Sequence, residues 1–291
     1  VYALMGGKMR DSVRMYANAW FVGARSPEEF AAAARKTAAL GITALKWDPF
    51  GKAHMTIGNR ELSHASAIVG AVREAVGPEV DLLIECHGRF NAYTALRIAR
   101  ELQQYNIMLM EEPCPPDNLA VLAEIRSRSP IPISAGERVY TKFGFEELFS
   151  RNAVDIAQPD IFHTGGMFES KKIAAMAQAK HIPVSFHNPS GPVSNAAILQ
   201  LAACTPNFLI HEIMLTDGSF RKRITDECVE FDRGCIRIPD RPGLGIEVKE
   251  TVLAEYPYKP LNLRHYTGNV TDIRPKDDTV YYFKELEHET F

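Results

Sequence analysis

The sequence predicts an α/β protein, a (β/α)7β barrel with a C-terminal extension, and three observations carry that reading. Short apolar runs alternate with amphipathic segments along most of the chain, the signature of βα units around a parallel sheet. Three of those runs end in a carboxylate at the same 26-residue interval: Leu82-Leu83-Ile84 before Glu85, Ile107 to Met110 before Glu111, and Ile131 to Gly136 before Glu137. No long linker or low-complexity tract breaks the alternation up to Glu212. Strand C-termini of a closed parallel barrel converge on one face, where active sites sit. Three acids delivered there would form a ring of hard oxygen ligands suited to Mg²⁺ or Mn²⁺.

Taken in order, Ser12 to Trp20 alternates enough for strand one. Ser26-Pro27-Glu28-Glu29 starts a helix, with an N-cap serine, a proline at N1 and acids facing the helix dipole; Gly41 ends it. Ile42 to Trp47 reads as strand two, followed by a long loop to Asn59 and a helix from Leu62 to about Ala75. Val80 to Cys86 is strand three. Helices over Ala92 to Tyr105 and Leu119 to Arg128 separate it from strands four and five, which end in Glu111 and Glu137. Phe145 to Arg151 is a short helix, Ala153 to Ala157 strand six, and Gly165-Gly166 opens a helix to about Lys180. Ile182 to Phe186 is strand seven, Gly191 to Ala203 a helix and Phe208 to Glu212 strand eight, with no obvious eighth helix after it. The three expected regions are therefore residues 1–11, a connection; 12–215, the barrel; and 216–291, an extension rich in charge, Pro and Tyr. The extension holds one strand-like piece at Cys235 to Ile238 and reads as an arm packed on this chain or a neighbour.

The length, 291 residues, and a content of 46% hydrophobic and 24% charged residues fit a globular protein with a large core. A net charge of −3 without a basic run gives no nucleic-acid or membrane footprint, and no apolar run approaches a transmembrane length. The five cysteines form no CxxC pair and read as reduced thiols in a cytoplasmic protein. Val1 to Gly7 lacks an initiator methionine and reads as the continuation of something upstream.

Polar residues stand at nearly every expected strand end: Lys46-Trp47-Asp48, Glu85-Cys86-His87-Gly88-Arg89, Glu111-Glu112-Pro113, Gly136-Glu137-Arg138, Gln158-Pro159-Asp160, His187-Asn188-Pro189 and His211-Glu212. One such glutamate alone is most simply a rim ion pair. Three acids and two histidines at one end of a barrel are not, because burying that much negative charge without a cation costs several kcal/mol per ion.

This set resembles the enolase superfamily, in its mandelate racemase/muconate lactonizing enzyme branch, and within it the acid-sugar dehydratases of the galactonate dehydratase type. The matching motifs are Glu-Glu-Pro at Glu111, Gly-Glu-Arg at Gly136, Gln-Pro-Asp at Gln158 and His-Asn-Pro at His187. The resemblance implies a modified TIM barrel and a Mg²⁺ ion (or Mn²⁺) held by Glu85, Glu111 and Glu137, although the family usually has Asp at the first of these. It implies Asp160 and His187 as the paired base, His87 as the acid that protonates a departing hydroxyl, and Glu212 as the residue that hydrogen-bonds the substrate carboxylate. Lys46 matches the first lysine of the family's Lys-x-Lys strand and is implied to bind substrate. Asp48 occupies the second, which disfavours a two-base racemase. Arg89 and Arg138 either bind substrate or pair with the acids; His163, His181 and His211 read as packing or rim residues.

The implied reaction is dehydration of an aldonate or aldarate to a 2-keto-3-deoxy acid, by C2 proton abstraction through a metal-stabilised enolate. Alternatives on the same chemistry are an epimerase, racemase or cycloisomerase; from another class comes a barrel that binds metal or sugar acid without turnover. The resemblance also implies a homo-oligomer and an N-terminal α+β capping domain, with Val1 to Arg10 as its connection to the barrel.

Overall fold

Among the described residues, seven strands and seven main helices build the barrel in the expected βα order, except that the last two of these helices follow one another without a regular strand between them. β1 (Ser12–Asn18), β2 (Ala44–Trp47), β3 (Asp81–Glu85), β4 (Ile107–Glu111), β5 (Ile133–Ala135), β6 (Ile156–Ala157) and β7 (His211–Met214) are separated by α1 (Pro27–Ala38), α2 (Asn59–Val76), α3 (Ala92–Leu102), α4 (Leu119–Arg128), α5 (Thr141–Ser150), α6 (Met167–Ala179) and α7 (Pro192–Ala203). This computed structural model describes residues 1–51, 53–216, 218–226 and 231–257. The expectations for Cys228 and for the extension beyond residue 257 lie outside them.

β1 to β6 pair in sequence order, all parallel, and β7 pairs with β1 on its other side. The gap between β6 and β7 is spanned by single parallel bridges, Ala157 to Val184 and Val184 to Phe208. The sheet therefore curls round on itself as a (β/α)7β barrel. The expected strand seven survives only as those bridge positions, because Pro183 has no N–H to give the ladder. The eighth ring strand sits at His211–Met214, a few residues beyond the expected Phe208 to Glu212. α5 starts at Thr141 rather than Phe145, since Tyr140 and Thr141 read as strand formers. α1 carries the expected signal in full: Ser26 accepts from the Glu29 amide, and the Glu29 carboxylate accepts from the Ser26 amide.

Past β7 the chain forms a seven-residue helix, α8 (Gly218–Ile224), which its run of Arg221-Lys222-Arg223 concealed. β8 (Phe231–Asp232) and β9 (Cys235–Arg237) then make a hairpin whose second strand pairs antiparallel with β1. A last short helix, α9 (Glu250–Leu253), follows. At the other end, a turn at Tyr2–Met5 is tied to Gln200 and Asp240. Cys86, Cys114 and Cys204 are buried and Cys235 is half-buried, all four as free thiols. Among the described residues no helix is long and apolar enough to cross a membrane.

The period of two along each strand sorts the residues. Those facing the helices, such as Met15, Leu45, Trp47, Leu82, Ile84 and Met110, belong to the large outer core. Those facing the barrel axis form a small inner apolar plug of Tyr16, Ala44, Leu83, Leu109, Ile156 and Ile210. Two residues further along the same strands come Asn18, Lys46, Glu85, Glu111, Gln158 and Glu212. One turn of the pleat converts the plug into a polar layer at the barrel's C-terminal end.

Candidate active site

Glu85 and Glu111 end β3 and β4 as register partners, and Glu137 follows β5. Each of the three offers a carboxylate oxygen, all within 4.8 Å of one another. Glu85 and Glu111 are buried. Gly136 sets the approach of Glu137: its φ is +149°, and a Cβ there would lie 2.8 Å from the Gln158 carbonyl carbon. Only glycine fits both demands. This explains the Gly-Glu-Arg motif physically.

Lys46 neutralises part of the cluster. Its ammonium lies 2.9 and 2.8 Å from the two Glu111 oxygens, 3.3 Å from Glu85 and 3.0 Å from Glu212. Gln158 adds a bond to Glu111 of 2.7 Å. Burial pushes the Glu111 carboxyl up, and repulsion from Glu85 pushes it further; Lys46 only partly offsets this. Glu85 is likewise raised by burial. The cluster carries more negative charge than its lysine balances. An all-oxygen donor set in that condition fits a hard divalent cation.

Glu137 behaves oppositely. Burial acts on it as well, but the His187 ring and the Arg138 guanidinium outweigh it and hold the carboxyl low. His187 Nε2 stands 3.1 Å from Glu137 Oε2, and its Nδ1 stands 2.8 Å from Asp160 Oδ2. Burial would lower this imidazole, yet Glu137 and the bond to Asp160 raise it to about 10. Asp160 is fixed in turn by the amides of Phe162 and His163, at 2.7 and 3.2 Å.

His87 and Arg89 leave β3 on a left-handed turn, with φ of +50° at His87 and +65° at Gly88. A Cβ at Gly88 would meet Arg138 Nη1 at 2.6 Å. The turn brings His87 Nδ1 to 2.7 Å from Asp48 Oδ2, and its side chain stays 30% exposed. Of the two readings open for the arginines, the geometry shows pairing. Arg89 is fully buried against Asp48, at 2.7 and 2.5 Å. Arg138 reaches Glu137, Glu112 and the His87 carbonyl.

Glu212 is fully buried, with Oε1 accepting from Asn18 and Lys46 and Oε2 from the Asn188 amide. Both its oxygens thus already have protein donors. His163 is exposed, as a rim residue is, and stands beside the site. Its Nδ1 is 2.9 Å from the Glu137 carbonyl, and its ring centroid is 6.5 Å from that of His187. Among the described residues His181 shows no such link; His211 is fully buried among the outer-facing residues of β7. Residue types and spacing alone point to no site role for Asn18, Gln158, Asn188 or Asp48. The alternation that runs from Tyr16 to Asn18 and from Ile156 to Gln158 was the signal for the first two.

A family model described as "Enolase C-terminal domain-like" matches residues 29–252. The chain is 38% identical to a D-gluconate dehydratase of Thermoproteus tenax, over 89% of this chain and 52% of that protein. It is 34% identical to a D-gluconate/D-galactonate dehydratase of Picrophilus torridus, over 89% of this chain and 66% of that one. The solved structure of a mandelate racemase/muconate lactonizing enzyme from Sulfitobacter sp. superposes with a TM-score of 0.84 at 35% identity, covering 89% of this chain and 68% of that chain. The chain thus spans between about half and two thirds of the length of these curated relatives.

Proposed function

The chain belongs to the enolase C-terminal domain-like family, and from that premise we propose that it forms the barrel of a Mg²⁺-dependent dehydratase acting on a sugar acid. The observation that carries the reading is the grouping of Glu85, Glu111 and Glu137 beside two histidines, each bonded to an aspartate. Relatives described as gluconate, galactonate and xylonate dehydratases support the substrate class.

Glu85, Glu111 and Glu137 would hold the cation. When bound, it supplies a positive charge against which the substrate carboxylate can gain electron density as its neighbouring C–H is broken. The remaining work belongs to this chain's own groups. His187 takes the C2 proton at Nε2, with Asp160 holding the ring by Nδ1. A cation held at Glu137 would neutralise the carboxylate that keeps a proton on His187, leaving the ring free to be neutral and so able to accept one. His87 gives a proton to the C3 hydroxyl, which leaves as water; the resulting enol rearranges to the 2-keto-3-deoxy acid. Lys46, bonded to Glu85, Glu111 and Glu212, keeps the layer beneath the substrate from repelling it.

Racemisation from two faces is disfavoured. The second-lysine position holds Asp48, and burial is outweighed there by Arg89 and His87, which lower its carboxyl to about 2. We assign residues 12–215 to the barrel and the following segment to an extension, of which the described strand β9 pairs with β1.

The test is a screen of aldonates and aldarates for 2-keto acid formation. It uses the full product of the coding region, with Mg²⁺ and after exhaustive chelation. Metal-dependent keto-acid formation from at least one acid is expected. Epimer formation without keto acid, or binding without turnover, would replace this reading with one of its alternatives.

A further inference from the structure

We propose that Asp48 is a positioning residue for His87, held in place by Arg89 so that the imidazole presents one fixed nitrogen to the substrate. The inference rests on the reading of His87 as the acid for the leaving hydroxyl.

Asp48 lies two residues beyond Lys46 on the same side of β2, which brings it to the end of β3. Its carboxylate is only 9% exposed and is held from three directions. Oδ1 accepts from the Phe50 amide at 2.9 Å and from Arg89 Nη2 at 2.7 Å. Oδ2 accepts from Arg89 Nη2 at 2.5 Å and faces His87 Nδ1 at 2.7 Å. Arg89 cannot swing away, because Nη1 also donates to the Gly51 and Ala53 carbonyls and Nε to the Cys86 carbonyl.

An ionised carboxylate only accepts, so Nδ1 carries the hydrogen in this bond. Nε2 is then the nitrogen that exchanges a proton with a substrate. The arrangement repeats at the base, where His187 Nδ1 faces Asp160 at 2.8 Å. Two aspartate-held imidazoles therefore serve the site. One aspartate lies on the base's side, and the other stands where a second basic residue would have worked on the opposite face. On this account Asp48 sets the identity of the reaction twice: it removes one proton acceptor and it aims the proton donor.

Two measurements test it, both on the full-length protein loaded with Mg²⁺. The first reads the tautomer of His87 by long-range ¹H–¹⁵N correlation, assigned by its loss in His87→Asn, at a pH where the ring is neutral. Protonation at Nδ1 is expected; a neutral ring protonated at Nε2 overturns the inference without reference to activity. The second compares water loss with exchange of the C2 hydrogen in D₂O, using D-gluconate and D-galactonate. Asp48→Asn and Asp48→Ala should lower water loss by roughly 10- to 100-fold while C2 exchange stays within about twofold. Asn, which still accepts from Nδ1, should be the milder. A parallel fall in both steps, or no fall in water loss, overturns the role of Asp48. Unchanged water loss in His87→Asn would instead remove His87 as the acid, so the two failures are distinguishable.

Discussion

Lys46 Nζ sits 2.9 and 2.8 Å from the two oxygens of Glu111, which makes a lysine the innermost counter-charge of the acid cluster. Both groups are buried, so neither can be screened by water. Removing one partner of such a pair leaves an uncompensated buried charge, at a cost of about 3–5 kcal/mol. Lys46→Met is therefore expected to destabilise the metal-free protein by that order, and saturating Mg²⁺ should recover part of it by restoring positive charge. Urea unfolding with EDTA and with Mg²⁺ measures both quantities. Equal loss in the two conditions would show that the lysine and the metal ion do not share the cluster.

Glu111 also joins the metal set directly, so Glu111→Gln should weaken Mg²⁺ binding and abolish turnover. Calorimetric titration with Mg²⁺ and Mn²⁺ reads binding apart from catalysis. The amide keeps the shape and the Gln158 contact region but loses the charge. Wild-type affinity in this variant, or full activity after exhaustive chelation, would exclude the carboxylate ring as the metal site.

Much of this site was legible because strand ends are written plainly. Each acid closes an apolar run at a fixed interval, and a parallel barrel gathers such ends on one face. Two things were hidden. Strand seven reads as an apolar run, but Pro183 reduces it to bridges, a matter of missing donors rather than hydrophobicity. The bonds that organise the site, Asp48 to His87 and Gln158 to Glu111, join residues 39 and 47 positions apart. Their partners depend on the exact stagger of neighbouring strands, which a single chain's periodicity does not encode.

His211 offers a prediction on stability. It is fully buried on the outer side of β7, and neither ring nitrogen has a hydrogen-bond partner among the described residues. Burial lowers its pKa from 6.5 to about 3, against a smaller pull from Glu212. Between those values the unfolded chain binds the extra proton and the folded one does not. Stability is therefore intact above pH 6.5 and declines as the pH falls toward 3. His211→Met removes the unsatisfied ring and should be neutral or stabilising near pH 7. It should also lose less stability than wild type between pH 7 and 4.5. Parallel pH profiles for the two proteins in urea melts would refute a neutral buried imidazole.

The two histidines should separate the reaction into its steps. His187 is bonded to Asp160 and faces Glu137, while His87 is bonded to Asp48 on the strand-three side; Glu137 feels the charge of both rings. The seventh ring position and β3 are four apart in an eight-membered ring, so their ends face each other across the mouth. A sugar acid anchored by its carboxylate between them presents C2–H to one ring and the C3 hydroxyl to the other, which sets up an anti elimination. His87→Asn should then stop water loss while C2 hydrogen exchange in D₂O continues, since proton removal needs only His187. His187→Asn should stop both, by roughly 10²–10⁴-fold, the usual contribution of a general base. Proton NMR of the substrate in D₂O, at matched metal occupancy, follows the two events in one sample. Exchange that survives His187→Asn but vanishes in His87→Asn would reverse the two roles. Wild-type rates in both variants would remove the histidines from the mechanism altogether.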